Sequence, residues 1–333
     1  MDEFVQQLIN GLVLGCMYAL VALGYTMVYG ILGLINFAHG DVLMVGAMVA
    51  WQAIGVAQQM WPGLPPLVLL GIGVIAAVPA CMLMGWVIER AAYRRLRDAP
   101  RLAPLITAIG VSFLLQTLAM MIWGRAPKQF PQLISIEAMH PMAGVSITPV
   151  QIVILILSTL LMVGLLLLVH RTKLGRAMRA TAENHRIAAL MGVDTNRVIS
   201  STFIIGSALA AVAGILIGSN YGQVHATMGS MPGLKAFIAA VLGGIGNLGG
   251  AMLGGVVLGL VESLGAGYIG QATDLCHLPV SMWGETLQEA CADGGTFELL
   301  SSSYQDVFAF IILAIVLIFR PTGLLGERVA DRA

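Results

Sequence analysis

The run Gly244-Ile245-Gly246-Asn247-Leu248-Gly249 matches G-x-G-x-x-G, the spacing that lets a backbone approach a dinucleotide pyrophosphate. Glu262 follows at nearly the distance of the acid that holds the ribose in such folds. That chemistry needs the glycines to leave a β-strand and open a helix within a βαβ unit. Here they interrupt an uncharged apolar segment, so we read them as backbone devices in a bilayer, not as a nucleotide site. No G-x-x-x-x-G-K-[ST] run occurs either, so ATP phosphates have no loop of that kind in this chain. If ATP drives the protein, another subunit hydrolyses it.

Three further groups could do chemistry. Residues 30–41 (GILGLINFAHGD) carry Asn36, His39 and Asp41 between glycines, and residues 243–250 (GGIGNLGG) carry Gly246 and Asn247, with Glu262 in the next apolar segment. Glycine-broken helices at membrane depth are tolerated where they line a cavity, and transporters bind substrate there. Ionisable groups at that depth are costly and face a protein interior or a water path. Asn36, His39, Asp41, Gly246, Asn247 and Glu262 are therefore candidates for a substrate path or gate. For His39 and Asp41 the plain alternative is a helix end at the interface, because charge counting sets them at a cytoplasmic turn; for Glu262 it is structural pairing. The other small-residue pairs, Gly11/Gly15, Gly218/Gly222, Gly250/Gly254 and Gly255/Gly259, are expected to pack helices closely. Cys16 and Cys81 read as buried thiols within apolar segments. Cys276 and Cys291 share a polar loop and could form a disulfide in an oxidising compartment; His277 beside Cys276 lacks a second ligand pair at zinc spacing, so no metal is expected.

The last group is an island at residues 171–197. It holds six Lys/Arg (Arg171, Lys173, Arg176, Arg179, Arg186, Arg197), Glu183, Asp194 and His185 between apolar stretches. Its apolar positions from Leu174 to Leu190 follow helical spacing, which predicts one amphipathic helix broken near Thr181. Arg179 and Glu183 can pair at four residues' separation. Gly192 suits a helix stop, and Asp194 or Thr195 the cap of the next helix. Such a helix either rests on anionic lipid or receives a soluble partner.

The elements that position these groups follow from composition. Hydrophobic residues make up 58% of the 333 residues and charged residues 10%, against about 45–50% and about 25% in soluble domains. Residues 42–88 hold no Asp, Glu, Lys or Arg; as helix they extend roughly 70 Å, enough to cross the apolar layer of about 30 Å twice. The fold class is therefore all-α, a polytopic helical membrane protein. Apolar segments fall at 8–29, 42–57, 67–87, 102–123, 150–169, 199–218, 233–245, 252–265 and 307–319, consistent with about eight to ten crossings, some interrupted by glycine. Residues 1–333 form a single transmembrane domain, with the cytoplasmic loop 171–197 and an opposite, acidic loop at 266–303. Placing 89–101, the island and the C-terminal tail on one side collects 14 of the 17 Lys/Arg, leaving only Arg125, Lys128 and Lys235 elsewhere. That side is the cytoplasm by the positive-inside rule, with the N-terminus outside. The acidic start MDEFVQQ does not read as a cleavable signal peptide. Segregated charge of net zero gives no support to nucleic-acid binding.

Four blocks carry a resemblance. Residues 175–184 (GRAMRATAEN) with Ala188-Ala189 and Gly192-Val193, residues 25–41 (YTMVYGILGLINFAHGD), residues 235–246 (KAFIAAVLGGIG) and residues 320–326 (RPTGLLG) resemble permeases of the branched-chain amino acid ABC importer family. Within it the chain is similar to the LivH-type subunit, which pairs with a different, LivM-type permease. The resemblance implies a bacterial inner-membrane importer fed by a periplasmic substrate-binding protein, with two cytoplasmic ATPases that bind ATP-Mg and grip the island. No cofactor is expected on this chain, and no enzymatic activity. Carried over by position, the ATPase-coupling residues are Arg176, Arg179, Glu183, Asn184, Ala188, Ala189 and Gly192. The loop departs from the E-A-A-x-x-x-G pattern of other importers, since four residues separate Glu183 from Ala188. The 266–303 loop is longer than is usual for the family. Other readings of the sequence are the same mechanism for urea or short amides, and a stand-alone facilitator or ion-coupled carrier. The few intramembrane charges argue against the last.

Overall fold

The structure, a computed structural model, describes residues 2–96, 99–100, 102–134, 137–142, 144–272 and 305–326. Each of the nine apolar segments is a helix. These are α1 (Asp2–Leu32), α2 (His39–Met60), α3 (Pro66–Ile88), α4 (Leu102–Trp123), α5 (Pro149–Arg171), α8 (Thr195–Tyr221), α9 (Ser230–Gly243), α10 (Leu248–Ala272) and α11 (Gln305–Phe319). Between α5 and α8 the island supplies α6 (Lys173–Glu183) and α7 (His185–Leu190). Among the described residues seven helices are long and apolar enough to span a membrane, and α9 and α11 are shorter apolar helices. Helix α10 continues to Ala272, so the loop expected from residue 266 starts later. Cys276 and Cys291 lie outside the described residues.

Burial sorts the helices by role. Along α1 nearly every residue from Cys16 to Val28 is buried, because α2, α5, α8, α9 and α10 surround it. Helices α4 and α5 present an outer face instead: Ile106, Phe113 and Met121, and Ile156 and Leu160, are exposed. A helix that is apolar all round either fills a core or faces lipid, and this chain uses both. The starts are fixed locally. Thr148 caps α5 in a reciprocal box with Gln151, and Pro149 takes the first helical position, where a missing N–H costs nothing.

Helices α1 and α10 run antiparallel on interlocking glycines. A Cβ on Gly15 would lie 2.7 Å from the Val256 Cα, one on Gly11 2.8 Å from the Leu260 Cα, and one on Gly255 2.6 Å from the Ala19 Cα. The Gly11/Gly15 and Gly255/Gly259 pairs thus do what their spacing predicts, letting backbones meet by van der Waals contact. Gly250 and Gly254 likewise press α10 onto Gly243 of α9. Gly218/Gly222 is different: Gly222 terminates α8 at φ 68°, a left-handed cap that glycine adopts without strain.

Short strands occupy the end of the bundle where α1 begins. β1 (Lys128–Gln129) pairs antiparallel with β4 (Gln223–Val224), and β2 (Met139–Met142) with β3 (Val145–Ile147). Gln6 of α1 bonds the Ser146 backbone at both N–H and C=O, tying the β2–β3 hairpin to the same end. The island occupies the opposite end.

Candidate functional site

Both glycine-bracketed stretches break their helices, the first of them inside the protein. Gly33 (φ 65°) ends α1, and residues 34–38 turn back so that His39 opens α2 against Gly24 and edge-on to Tyr25, ring centroids 4.9 Å apart. Gly24 lies eight residues before the end of α1, so the segment re-enters by roughly 12 Å. The turn expected at the interface is therefore at depth, and Asn36, His39 and Asp41 are all buried. Hydrogen bonds hold the re-entrant segment. Tyr93 donates to Asn36 Oδ1 at 3.1 Å, and Gln116 of α4 donates to Asp41 Oδ1 at 2.9 Å. His39 Nε2 is buried without a hydrogen-bond partner among the described residues. Helix α9 also begins at depth: Gly40 near the start of α2 packs backbone to backbone on Gly229 and Gly233. Two helix starts thus meet within the bundle.

The second break lies at the island end. Gly244 (φ 106°) and Gly246 (φ 96°) carry the chain from α9 to α10. Residues 320–326 dock on it: Leu324 and Leu325 N–H groups donate to the Leu242 and Gly243 carbonyls, and Asn247 Nδ2 donates to Leu325 O at 2.9 Å. Asn247 Oδ1 also accepts from Gly250 N–H, capping α10. Asn247 is a clasp for the C-terminal segment, and Gly246 is exposed.

In the island the break falls at Asn184, three residues beyond Thr181. Thr181 stays helical and buried, its hydroxyl donating to Ala177 O. Asn184 adopts an extended backbone, and its side chain accepts from the Arg186 and Ile187 N–H groups, capping α7. An amide side chain that competes for backbone N–H groups favours such a junction over a helix interior. Arg179 donates to the Val169 carbonyl at the end of α5, and no ion pair joins it to Glu183. Gly192 takes φ 86° after α7, and Asp194 caps α8 through Arg197 N–H. Of the coupling candidates, Arg176, Arg179, Glu183, Asn184, Ala189 and Gly192 are exposed, whereas Ala188 is buried against the chain's own fold. Ile187, Leu190 and Met191 are the apolar residues that α7 and its end present outward, at 58%, 86% and 81% exposure.

A cavity of about 580 Å³ joins these parts. Its walls are Tyr29–Gly33 at the end of α1, Ala182–Arg186 at the island junction, and Ile245 and Gly246 at the second break. The island therefore faces both interrupted segments across one cavity.

The structure adds an ionic cluster that the sequence reading did not assemble. Lys235 of α9 lies 2.6 Å from Glu262 Oε1 of α10 and 2.6 Å from Asp306 Oδ1 of α11, and Tyr18 of α1 donates to Glu262. Glu262 is thus structurally paired. Lys235 was the one cation inside an apolar segment, which was the available signal. Near the island end, Glu89 is buried and accepts from Ser200 at 2.7 Å and from Arg94, joining α8 to the turn after α3. Among the described residues no group of three or more His, Cys, Asp or Glu could hold a metal ion.

Comparison with known proteins gives one family. The family described as branched-chain amino acid transport system / permease component matches residues 7–317. The high-affinity branched-chain amino acid transport system permease protein BraD of Pseudomonas aeruginosa is 43% identical over 328 residues, covering 98% of this chain and 96% of its own. LivH of Escherichia coli K12, named for the same transport system, is 41% identical over 332 residues, covering 97% and 96%. A probable branched-chain amino acid permease of Methanocaldococcus jannaschii is 30% identical over 253 residues, 76% of this chain and 78% of its own. No solved structure matches.

Proposed function

Since the chain belongs to the branched-chain amino acid transport permease family, we propose that it is the membrane-spanning subunit of an ATP-binding-cassette importer for leucine, isoleucine, valine or similar small amino acids. It pairs with a second, LivM-type permease, receives substrate from a periplasmic binding protein, and is driven by two cytoplasmic ATPases that hold ATP-Mg. The bilayer is the inner membrane, with the island and C-terminus cytoplasmic and the start of α1 periplasmic; the grouping of Lys and Arg supports that orientation. The chain is a transport subunit, without catalysis of its own.

The observation that carries the mechanism is the shared cavity of the Asn184 junction, the end of α1 and the Gly244–Gly246 break. An ATPase that displaces α6–α7 bears on both interrupted segments at once, and the re-entrant residues 33–38 lead from there to the buried meeting of α2 and α9. Alternating access then couples to nucleotide through contacts that differ between two states. Exposed Ile187, Leu190 and Met191 favour a protein partner over water as their surroundings. Relatives named for branched-chain amino acid transport lend no support to a stand-alone carrier or a urea or amide cargo.

Retention of the ATPases through detergent purification tests this assignment. Wild-type chain brings them along; Leu190→Glu/Met191→Glu reaches the membrane in equal amount and loses them. Full retention by that variant returns the island to a lipid-surface helix.

A further inference from the structure

Above the Lys235 cluster, toward the end where α1 begins, lies a second cavity of about 460 Å³. That volume falls within the roughly 300–1,000 Å³ of small-molecule sites. Its charged floor is Lys235 and Asp306, with Tyr18 beside them and Glu262 behind. Ile217, Met228 and Met231 supply apolar wall. The first turn of α9 (Ser230, Met231, Pro232) also lines it, so the positive end of that helix dipole faces the space.

The charges do not balance. Two carboxylates, Glu262 and Asp306, share one ammonium, and all three Lys235 donors are committed to Glu262, Asp306 and the Tyr18 hydroxyl. Glu262 Oε2 is buried with no hydrogen-bond partner among the described residues. Asp306 keeps 38% of its side chain exposed. One uncompensated negative charge at the foot of a partly apolar cavity favours a second cation. The helix start favours an anion nearby, and the methionine and isoleucine wall favours an aliphatic group that flexible side chains can fit.

We propose that this cavity is a docking site for a zwitterionic α-amino acid with an aliphatic side chain, entered from the periplasmic side. The α-ammonium bonds to Asp306, the α-carboxylate faces the first turn of α9, and the side chain lies against Ile217, Met228 and Met231. Below it, Lys235 and Glu262 close the cavity, and the Gly40–Gly229–Gly233 contact separates it from the re-entrant segment. The inference rests on the importer reading and locates the first site that cargo meets after leaving the binding protein.

The test uses the complete transporter in nanodiscs, without its binding protein, carrying Met231→Cys. Met231 is 55% exposed on the cavity wall. Labelling by a small charged thiol reagent is followed with L-leucine, 4-methylpentanoate (no ammonium) or 3-methylbutylamine (no carboxylate) as protectant. L-Leucine should slow labelling at least five-fold and either analogue less than two-fold; adding Asp306→Asn should abolish protection while the protein elutes as wild type. Equal protection by an analogue, protection that survives Asp306→Asn, or none by L-leucine would overturn the proposal. Should Asp306→Asn fail to assemble, the analogue comparison on the parent decides alone. ATP-dependent leucine uptake by the unsubstituted transporter with binding protein keeps the two readings apart: uptake by it without protection of Met231→Cys rejects only this site, and absent uptake by it rejects the importer reading beneath it.

Discussion

The ammonium of Lys235 and the carboxylate of Glu262 meet at 2.6 Å between α9 and α10, both residues buried. Removing one partner of such a pair leaves an uncompensated charge, at a cost of about 3–5 kcal/mol. Lys235→Met should lower thermal stability in detergent by that scale, and Lys235→Met/Glu262→Gln should recover part of it, because the pair is coupled. A double-variant loss equal to the sum of the losses in Lys235→Met and Glu262→Gln would show that the pair contributes no coupling.

The glycine seam between α1 and α10 predicts a position-specific pattern. Gly15→Leu drives a side chain into the Val256 backbone, and overpacking of this kind costs about 1–3 kcal/mol or more. Gly110→Ala on α4 meets nothing within 4 Å and should be neutral or slightly stabilising. Fluorescence-detected size exclusion after a heating series ranks the two variants against wild type; a Gly15→Leu protein as heat-resistant as Gly110→Ala contradicts the seam.

Asn184 holds the junction of α6 and α7 by one side chain. Asn184→Ala should cost about 1 kcal/mol of local stability and speed amide hydrogen exchange across residues 186–190 several-fold, leaving exchange in α8 unchanged. Unaltered exchange there would mean that packing, not the cap, orders α7.

The C-terminal clasp is testable by backbone strain. Gly323 has φ 82°, and a Cβ there would lie 2.6 Å from Gly244 N. Gly323→Val should release residues 320–326 from the second break, seen as new protease cleavage in that segment, and should reduce ATP-driven uptake. An intact tail in Gly323→Val would place its anchorage elsewhere.

Much of this architecture was legible because the chemistry is local. Charge-free runs such as 67–87 and 102–123 are long enough to cross the apolar layer as helices, and both helix breaks announced themselves as glycines around an asparagine. Gly192 and Asp194 read correctly as stop and cap because both act within a few residues. What failed was non-local. For His39 and Asp41 charge counting left a buried path and an interfacial turn both open, and chain order does not reveal that the turn folds back beside Gly24. Lys235, Glu262 and Asp306 come from three helices, and only packing brings their side chains together. Ala188 fell in a block with Ala189, although adjacent helical residues point different ways and only one of the two is exposed.

The most direct measurement of the central claim is leucine uptake into proteoliposomes holding both permeases with the liganded binding protein inside the uptake assay. With both ATPases and ATP-Mg on their face, radiolabelled leucine should accumulate against its gradient; without the ATPases, or with ATP omitted, it should not enter above empty vesicles. Equal uptake in the absence of the ATPases would contradict the account of the island as the element that couples this permease to ATP.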